Sequence, residues 1–487
     1  MADYPVLFIA GTLIALAQYF LLQEVTALTA GTEIVILLVT VAYFSGFSIG
    51  YTLSGRISEP AIIKLIALFF LLHLTFPFSL RLLAGALHEM LPGLAALALL
   101  FVTAFAMVSV FSILLPAYID RRGPASLPAL YATELCGTAF GFAVIFGVGA
   151  AQAYAVAAIY HVAFAALVGA VFWNMKAALA ALALAGVSVF MSSSMDRWSL
   201  SYFYERAFGV KDAQTLYSVY SPYQKVDIIE AKSGSRRLYL NGLLFYGSGS
   251  LRQFNLYLTR LPVELAAPAN TLIIGSGSME SVAYASQKSA SVTTVEIDEA
   301  VIKGSLAYFT DVNMGGKIPG WRYVVDDGKH FLGSGVEKYD LISVDVPAPF
   351  TIQTGLVYSE DFMRLARGRL SPKGVFSISL CGRIDDGGMI ATAVAAAVLN
   401  TFDGVIIHTP EKSPYSFALA GHKLPFTKEQ AARLIGQYGG GTVKIMDKAE
   451  AMAAVGGAKP IRWDDPSLPV KASLRRTAKK FFPAEGR

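Results

Sequence analysis

Residues 271–298 read TLIIGSGSMESVAYASQKSASVTTVEID, which is the pattern of a buried strand, a glycine-rich loop, a helix and a second buried strand. The apolar runs at 271–274 and 292–295 have the length of strands and no polar alternation. Strands that are buried on both faces and alternate with helices indicate a parallel, doubly wound sheet. We therefore predict a Rossmann-like α/β domain over residues 263–425.

The same pattern continues on both sides of this segment. Further strand-like runs lie downstream at 323–325, 341–344, 375–378 and 405–407. Upstream, runs at 226–230, 237–240 and 243–246 are short, and Asn241-Gly242 separates the last two. Asn-Gly between apolar runs indicates a hairpin, because both turn positions require a positive φ. We predict a small β-hairpin subdomain over 216–262 and a C-terminal extension with a basic tail over 426–487.

The N-terminal part has the composition of a membrane domain. Of the 487 residues, 54% are hydrophobic and 15% are charged, against roughly 25% charged in an average soluble chain. Only 13 charged residues lie within 1–193, and about 20 apolar residues suffice to cross a bilayer as a helix. We predict a polytopic helical membrane domain over 1–193, with a connector over 194–215. The expected spans are 5–22, 33–54, 61–83, 94–117, 128–150, 152–173 and 177–191.

A lipid bilayer is thus an expected partner, and a bacterial inner membrane is the expected location. The positive-inside rule places the loops with Arg56, Lys64 and Arg122 in the cytoplasm. The side of the C-terminal half depends on whether 177–191 spans the bilayer, so we leave it open. Ionisable residues within spans are costly there and are functional candidates. They are Glu24, His73, Glu134 and His161.

Composition also argues against several classes of protein. Cys136 and Cys381 are the two cysteines, too few for a disulfide scaffold or a cysteine metal cluster. The six histidines lack zinc-ligand spacing, so we expect no metal. A net charge of +5 is too small to indicate nucleic-acid binding. Homodimer formation is left open.

Glycines and carboxylates follow four consecutive predicted strands, at the edge where doubly wound sheets bind ligands. Gly275 and Gly277 would let the backbone approach a ligand closely. Glu296 follows the second strand and could hold ribose hydroxyls. Asp327 follows the third and could accept a hydrogen bond from an exocyclic amino group, and Asp345 follows the fourth. Together they predict a nucleoside-binding site.

Residues from about 217 to 385 resemble the polyamine aminopropyltransferases, the spermidine synthase family. Ser221-Pro-Tyr-Gln224 resembles the family's Tyr-Gln motif, and Ile273-Ile-Gly-Ser-Gly277 its glycine-rich loop. Tyr339-Asp-Leu-Ile-Ser-Val-Asp345 resembles the strand with its catalytic aspartate, and Tyr131-Ala-Thr-Glu-Leu-Cys-Gly137 a segment of membrane-fused members.

The resemblance implies a class I methyltransferase-like fold and assigns roles to the candidate residues. Gln224, Glu296 and Asp327 would bind the nucleoside together with Gly275 and Gly277, and Asp345 would be catalytic. The substrate would be S-adenosylmethionine or its decarboxylated form.

Three departures from the family pattern concern the amine side of the site. Ser278 replaces an aspartate of the glycine-rich loop, Ala348 replaces a second aspartate near the catalytic one, and Phe254-Asn-Leu256 replaces a Tyr-His/Gln-Glu trio. Each lost carboxylate removes a hydrogen bond to an ammonium group, worth about 1.5–3 kcal/mol. We therefore expect a membrane-anchored, spermidine synthase-like transferase that is not an efficient spermidine synthase. Its acceptor would be a small-molecule amine or a neutral compound.

Two other functions remain open at this point. The N-terminal half could be a transporter or signalling module, with the α/β domain as a non-catalytic nucleoside sensor. The lost carboxylates favour that alternative, whereas Asp345 favours an enzyme. The domain could also be an S-adenosylmethionine-dependent methyltransferase, although the β-subdomain over 217–262 favours the aminopropyltransferase lineage.

Overall fold

The structure is a computed structural model, and it forms two compact units. The first comprises residues up to 234, residues 240–243 and the end of the chain from 478, and the second comprises residues 235–239 and 244–477. The structure describes residues 3–29, 33–54, 56–76, 78–90, 111–148, 153–172, 175–248, 252–275, 277–438 and 441–481.

The described part of the first unit is mostly helical up to residue 208. Its helices are α1 (Asp3–Thr29), α2 (Glu33–Ser54), α3 (Glu59–Thr75), α4 (Phe78–Met90), α5 (Leu114–Arg122), α6 (Leu127–Val148), α7 (Ala153–Phe172) and α8 (Met175–Phe208). By length and composition, α1, α2, α6 and α8 could each cross a membrane, among the residues that the structure describes. The pair α3 and α4, bent by 76°, would be a fifth span if it counts as one.

Three predicted segments differ from these helices. The predicted span 61–83 is divided because α3 ends before Pro77, with Phe76 in the extended conformation that a following proline favours. The predicted connector 194–215 is helical as far as Phe208, so the short span at 177–191 is part of a 34-residue helix. The predicted span 94–117 lies mostly outside the described residues.

Helix α8 extends this far because its last turns bury one face. Asp196, Ser199, Leu200, Phe203 and Tyr204 are buried there, at the i, i+3, i+4, i+7 spacing of a helical stripe. The stripe contains polar residues, which lower the mean hydropathy of these turns. We therefore predicted a connector here from the sequence.

Four short strands follow α8. They are β1 (Gln214–Tyr220), β2 (Lys225–Glu230), β3 (Arg236–Leu240) and β4 (Leu243–Gly247). β1 pairs antiparallel with β2, and β3 is hydrogen-bonded to β4. Asn241 and Gly242 have φ of 47° and 70°, as the expected hairpin turn requires.

The second unit is built on an eight-stranded sheet. Its strands are β5 (Asn270–Ile274), β6 (Ser291–Glu296), β7 (Trp321–Val325), β8 (Tyr339–Val344), β9 (Leu370–Ser379), β10 (Gly404–Pro410), β11 (Phe417–Gly421) and β12 (Val443–Asp447). The strand order is β12-β10-β11-β9-β8-β5-β6-β7. Neighbours from β9 to β7 are parallel, whereas β9–β11, β11–β10 and β10–β12 are antiparallel.

The Rossmann-like, methyltransferase-like fold class is therefore confirmed, but the expectation of a parallel sheet is wrong beyond β9. The strands that the sequence missed there are β11, with the alanine-rich sequence FALAG, and the edge strand β12, with the alternating sequence VKIMD. Alanine has low strand propensity, and a half-exposed edge strand lacks the continuous apolar run of β5 and β6.

Helices cover both faces of the sheet. They are α9 (Arg252–Asn255), the π-helical turn Leu256–Arg260, α10 (Leu261–Ala266), α11 (Glu280–Ser286), α12 (Glu299–Tyr308), α13 (Gly328–Ser334), α14 (Ile352–Val357), α15 (Glu360–Arg369), α16 (Met389–Thr401), α17 (Lys428–Gln437), α18 (Lys448–Val455) and α19 (Ser467–Phe481). On β5, Leu272 and Ile274 belong to the hydrophobic core that contains Phe362 of α15, whereas Ile273 belongs to the core that contains Val282 of α11. Successive strand residues point to opposite faces, so both cores need apolar residues from one strand.

Candidate functional site

The carboxyl ends of β5, β6 and β8 lie side by side. In the parallel register, Ile274 is aligned with Val295 of β6 and with Val344 of β8. The backbone N–H of Gly275 donates to the Val295 carbonyl at 2.8 Å, and that of Asp345 donates to the Ile274 carbonyl at 2.7 Å. The predicted site residues on these three strands therefore meet at one edge of the sheet.

The glycine-rich loop after β5 has a geometry that side chains would block. Gly275 has φ of 87°, and a Cβ there would lie 1.9 Å from the Asp345 carbonyl oxygen. Gly277 has φ of 47°, and its Cβ would lie 2.8 Å from the Phe245 ring and 3.7 Å from Asp345 Oδ2. The two predicted glycines thus bring the loop backbone close to the end of β8.

Glu296 ends β6 and is buried, with 8% of its surface exposed. Its Oε1 accepts a hydrogen bond from the Asp298 N–H at 3.1 Å, and its carbonyl accepts from the Asp326 N–H at 3.2 Å. Asp298 caps helix α12 by accepting from the Ala300 N–H. Asp298, which follows β6, therefore has a structural role, whereas Glu296 lies at the carboxyl end of the strand.

Asp327 follows β7 and is the N-cap of helix α13. Its Oδ1 accepts from the Lys329 N–H at 2.8 Å, and its Oδ2 lies 3.3 Å from Lys329 Nζ. The neighbouring Asp326 accepts from His330 Nδ1 at 2.8 Å. The predicted contact between Asp327 and an adenine amino group therefore stays a prediction, and Asp327 has a capping role in addition.

Asp345 is the most unusual group at this edge. It is 5% exposed, and among the described residues its carboxylate has no hydrogen-bond partner. Burial, and to a lesser extent the Glu280 carboxylate, raise the pKa of Asp345 to about 7. Such a carboxylate can change its charge near neutral pH, which suits a group that accepts a proton.

Glu280 is a further acid at this site and is not among the residues predicted from the sequence. It lies in the first turn of α11, and its Oε2 accepts from the Tyr246 hydroxyl at 3.2 Å and from Asn255 Nδ2 at 3.1 Å. Acidic residues are common in the first turn of a helix because they interact favourably with the helix dipole. Glu280 therefore did not stand out in the sequence as a site residue. Its position three residues after Gly277 was the signal that could have revealed it.

A further buried side chain near Asp345 is Tyr358, which is 1% exposed. The Tyr358 hydroxyl donates to the Val346 carbonyl at 3.0 Å, and Tyr358 is also hydrogen-bonded to Cys381. Burial raises the pKa of the Cys381 thiol to about 12, so the thiol stays protonated and is a poor nucleophile. Tyr358 therefore stabilises the segment after β8, as a wall of the site would.

Gln224, the remaining predicted nucleoside contact, lies in the first unit. Its backbone N–H donates to Ser221 Oγ at 3.0 Å, and its carbonyl accepts from the Ser221 N–H at 2.9 Å. These bonds close the turn between β1 and β2. The part of Gln224 in nucleoside binding stays a prediction.

The candidate ionisable residues of the helical region are buried. Arg81 on α4 is fully buried, and its guanidinium donates to Glu24 of α1 at 2.9 and 2.8 Å. It also pairs with Asp196 of α8, and the hydroxyl of Tyr220 on β1 donates to Glu24. Glu24 thus belongs to a buried ion-pair network, in which each charge has a partner.

The other three candidates differ in their hydrogen bonding. Glu134 on α6 is 3% exposed, and its Oε1 has no partner among the described residues. The same holds for His161 Nδ1, whereas His73 Nδ1 is hydrogen-bonded to the Tyr160 hydroxyl. Within the described ranges, no three His, Cys, Asp or Glu side chains are grouped as metal ligands.

Comparison with known proteins agrees with this architecture. Residues 256–380 match the family model of the spermine/spermidine synthase domain. The chain is 28% identical over 177 residues to the polyamine aminopropyltransferase of Leptospira biflexa, covering 35% of this chain and 62% of that protein. It is 29% identical over 217 residues to the polyamine aminopropyltransferase of Corynebacterium efficiens, covering 42% of this chain and 41% of that protein.

A solved structure was also found. It is a crystal structure of a spermidine synthase in complex with the transition state analogue AdoDATO, aligned over 55% of this chain and 88% of that chain, with 19% identity and a TM-score of 0.41. The chain spans less than two-thirds of the length of the two sequence relatives. The family model and the sequence relatives show that this is a spermidine synthase-like protein.

Proposed function

We propose that the second unit is an aminopropyltransferase whose donor is decarboxylated S-adenosylmethionine and whose acceptor is an amine. The observation that carries the proposal is the buried Asp345 carboxylate beside the glycine-rich loop, for which the described residues supply no hydrogen-bond partner. The match to the spermine/spermidine synthase domain supports it, because residues 256–380 include β5, β8 and the segments that follow them.

In the proposed reaction, the acceptor nitrogen attacks the methylene carbon that is bonded to the donor's sulfonium. A C–N bond forms while the C–S bond breaks, and the electron pair of the C–S bond stays on sulfur. The products are methylthioadenosine and the alkylated amine, whose extra proton passes to Asp345. A carboxylate with a pKa of about 7 is ionised in part at neutral pH and can accept this proton.

The other residues would position the substrates for this in-line attack. Gly275 and Gly277 allow the donor to approach the loop backbone, Glu296 would bind the ribose hydroxyls, and Asp327 would bind the adenine amino group. No covalent intermediate is needed, so positioning and proton transfer would supply the catalysis.

We also propose that the helices of the first unit hold the protein in a membrane. Several of their large apolar side chains are exposed, including Phe146 of α6 at 91% and Phe190 of α8 at 89%. Soluble proteins rarely expose apolar surface of this kind, whereas hydrocarbon is a suitable environment for it. The protein should therefore stay in the membrane pellet after a high-salt wash and enter the supernatant only with detergent; release by salt alone would contradict the proposal.

Turnover is tested with the detergent-solubilised full chain, isotope-labelled decarboxylated S-adenosylmethionine and 1,4-diaminobutane. We expect release of methylthioadenosine, and we expect Asp345→Asn to slow it by about 10²-fold or more. Asp403→Asn is the matched control, because this exposed aspartate pairs with Arg367.

Other outcomes would identify a different function. Binding of the donor without turnover, unchanged in Asp345→Asn, would favour a nucleoside sensor. Transfer of a labelled methyl group from S-adenosylmethionine would favour a methyltransferase.

A further inference from the structure

The turn that contains Gln224 is bordered on its β1 side by Tyr220, the last residue of that strand. The Tyr220 hydroxyl donates to the Glu24 carboxylate of α1 and accepts from the Arg81 guanidinium of α4 at 3.4 Å. Arg81 also donates to Asp196 of α8 at 2.5 Å. One tyrosine hydroxyl therefore connects the end of β1 to an ion-pair network that three helices of the first unit supply.

On its other side, the same turn is bordered by Lys225, the first residue of β2. Lys225 is 1% exposed, and its Nζ lies 4.9 Å from the centroid of the Tyr220 ring and 4.0 Å from Asp227 Oδ2. Asp227 Oδ2 accepts in addition from the Tyr204 hydroxyl of α8 at 2.8 Å. A buried ammonium group is costly unless an aromatic ring and a carboxylate offset its lost hydration. These contacts therefore fix the start of β2 against the end of β1 and against α8.

The hairpin turn between β3 and β4 adds a close backbone contact with α1. A Cβ on Gly242 would lie 2.1 Å from the Ala27 carbonyl oxygen of α1, so only a glycine permits this approach. The neighbouring Asn241 exchanges two hydrogen bonds with the Lys225 backbone. Its Oδ1 accepts from the Lys225 N–H at 2.9 Å, and its own N–H donates to the Lys225 carbonyl at 2.9 Å. Helix α1 thus also supports the backbone of Lys225 through this hairpin.

Four residues, 221–224, connect the two fixed strand ends. Ser221 Oγ accepts from the backbone N–H groups of Tyr223 at 3.1 Å and Gln224 at 3.0 Å, and the Ser221 N–H donates to the Gln224 carbonyl at 2.9 Å. A turn this short and this fully hydrogen-bonded has little freedom of its own. A displacement of Tyr220 or Lys225 is therefore expected to move Gln224.

We propose that Tyr220 and Lys225 are positioning residues, and that the ion-pair network of α1, α4 and α8 holds the Gln224 turn in the conformation that binds the adenosine part of the donor. The inference rests on the proposed function, because the predicted contact between Gln224 and the nucleoside links the turn to the reaction. It gives the helices of the first unit a role beyond attachment to a membrane, since they would set the affinity for the donor.

The first test is titration calorimetry with methylthioadenosine on the detergent-solubilised full chain. Gln224→Ala should weaken binding by about three- to tenfold, as expected for one lost hydrogen bond. Tyr220→Phe should weaken it by about threefold or more, although Arg81 keeps both of its carboxylates in this variant. The matched control is Tyr43→Phe, which removes a buried tyrosine hydroxyl of the same unit that donates to a carbonyl of α1 at 3.4 Å. This control should bind methylthioadenosine like the wild type.

A pair of variants tests whether the charge of Lys225 matters. Lys225→Met removes the ammonium group and should weaken methylthioadenosine binding by about threefold or more. Lys225→Arg keeps the positive charge and should restore binding to within about twofold of the wild type. If Lys225→Met fails to fold, Tyr220→Phe decides.

Steady-state kinetics separate positioning from a loss of folded protein. Tyr220→Phe should raise the KM for decarboxylated S-adenosylmethionine by about threefold or more and leave the KM for 1,4-diaminobutane unchanged. A purely structural role would lower kcat through the folded fraction and leave both KM values unchanged, which would overturn the proposal.

The binding experiments can also overturn the proposal. It fails if Gln224→Ala, or both Tyr220→Phe and Lys225→Met, bind methylthioadenosine as tightly as the wild type does. If the wild type itself binds no methylthioadenosine, the proposed function fails instead.

Discussion

Gly275 lies where β5 ends and the glycine-rich loop of the candidate site begins. Its N–H donates to β6, and its Cα faces the Asp345 carbonyl so closely that a Cβ would lie 1.9 Å from that oxygen. The contact is with backbone, which cannot rotate away as a side chain can. A residue with a side chain would therefore push β5 and β8 apart next to the proposed base.

We predict that Gly275→Ala lowers the free energy of unfolding by about 1–3 kcal/mol or more, since a strained φ of 87° adds to the backbone clash. Thermal or chemical denaturation of the solubilised protein measures this change. Gly333→Ala is the control, because Gly333 lies on α13, with no heavy atom within 4 Å of its Cβ position. Equal stability of the two variants would contradict the account.

The raised pKa of Asp345 makes both the stability and the activity of the protein depend on pH. Its native pKa of about 7 lies above the ordinary 3.8, so the native state holds a proton that the unfolded state releases between these values. The contribution of Asp345 to the free energy of unfolding therefore falls as the pH rises through 7. Activity has the opposite dependence, because the proposed base must be ionised.

We therefore expect the turnover rate to rise about tenfold between pH 6 and pH 8 and then level off. Asp345→Asn should flatten the pH profile of stability below about pH 7, where the native state holds the extra proton. Rates and denaturation curves measured from pH 5 to pH 9 test both expectations. A rate that falls across pH 7 would exclude Asp345 as the base.

Helix α13 begins directly after Asp327, which has a structural role as the N-cap and a predicted role in adenine binding. Asp327 caps this helix through the Lys329 N–H, and it is also the predicted adenine contact. The two roles can be separated, because serine caps a helix as well as aspartate does but has a shorter side chain.

We predict that Asp327→Ser keeps the melting temperature and weakens methylthioadenosine binding by about three- to tenfold, as expected for one lost hydrogen bond. Asp327→Ala should lose stability as well, by about 0.5–2 kcal/mol. Calorimetric titration and thermal melting report the two effects. If Asp327→Ser binds like the wild type, Asp327 is only a cap.

The elements that the sequence predicts are those with a single dominant signal. β5 and β6 are continuous apolar runs that end in glycine or a carboxylate, so both their type and their place at the site could be read directly. β11 and the last turns of α8 combine alanine or polar residues with burial, and that burial depends on partners far away in the chain. Glu280 was missed because an acid in the first turn of a helix is common, and the fold was needed to show that it affects Asp345.

For the molecule as a whole, the buried network around Arg81 ties together distant parts of the first unit. Arg81 of α4 contacts Glu24 of α1, Asp196 of α8 and Tyr220 of β1. Removing one partner from such a network leaves buried charges uncompensated, which costs more than the pair contributes when intact.

We predict that Arg81→Ala destabilises the solubilised protein by about 3–5 kcal/mol, because Glu24 and Asp196 would both lose a partner. Arg56→Ala, at an exposed arginine, should change the stability little. Thermal denaturation in one detergent compares the two variants. Similar melting temperatures for both would indicate that the network does not stabilise the fold.

The most direct test of the account is an experimental structure of the full chain with methylthioadenosine. We predict that the ribose hydroxyls contact Glu296, that the adenine amino group contacts Asp327, and that the sulfur faces Asp345 across the glycine-rich loop. A nucleoside bound elsewhere, or one whose sulfur points away from Asp345, would contradict the proposed aminopropyl transfer.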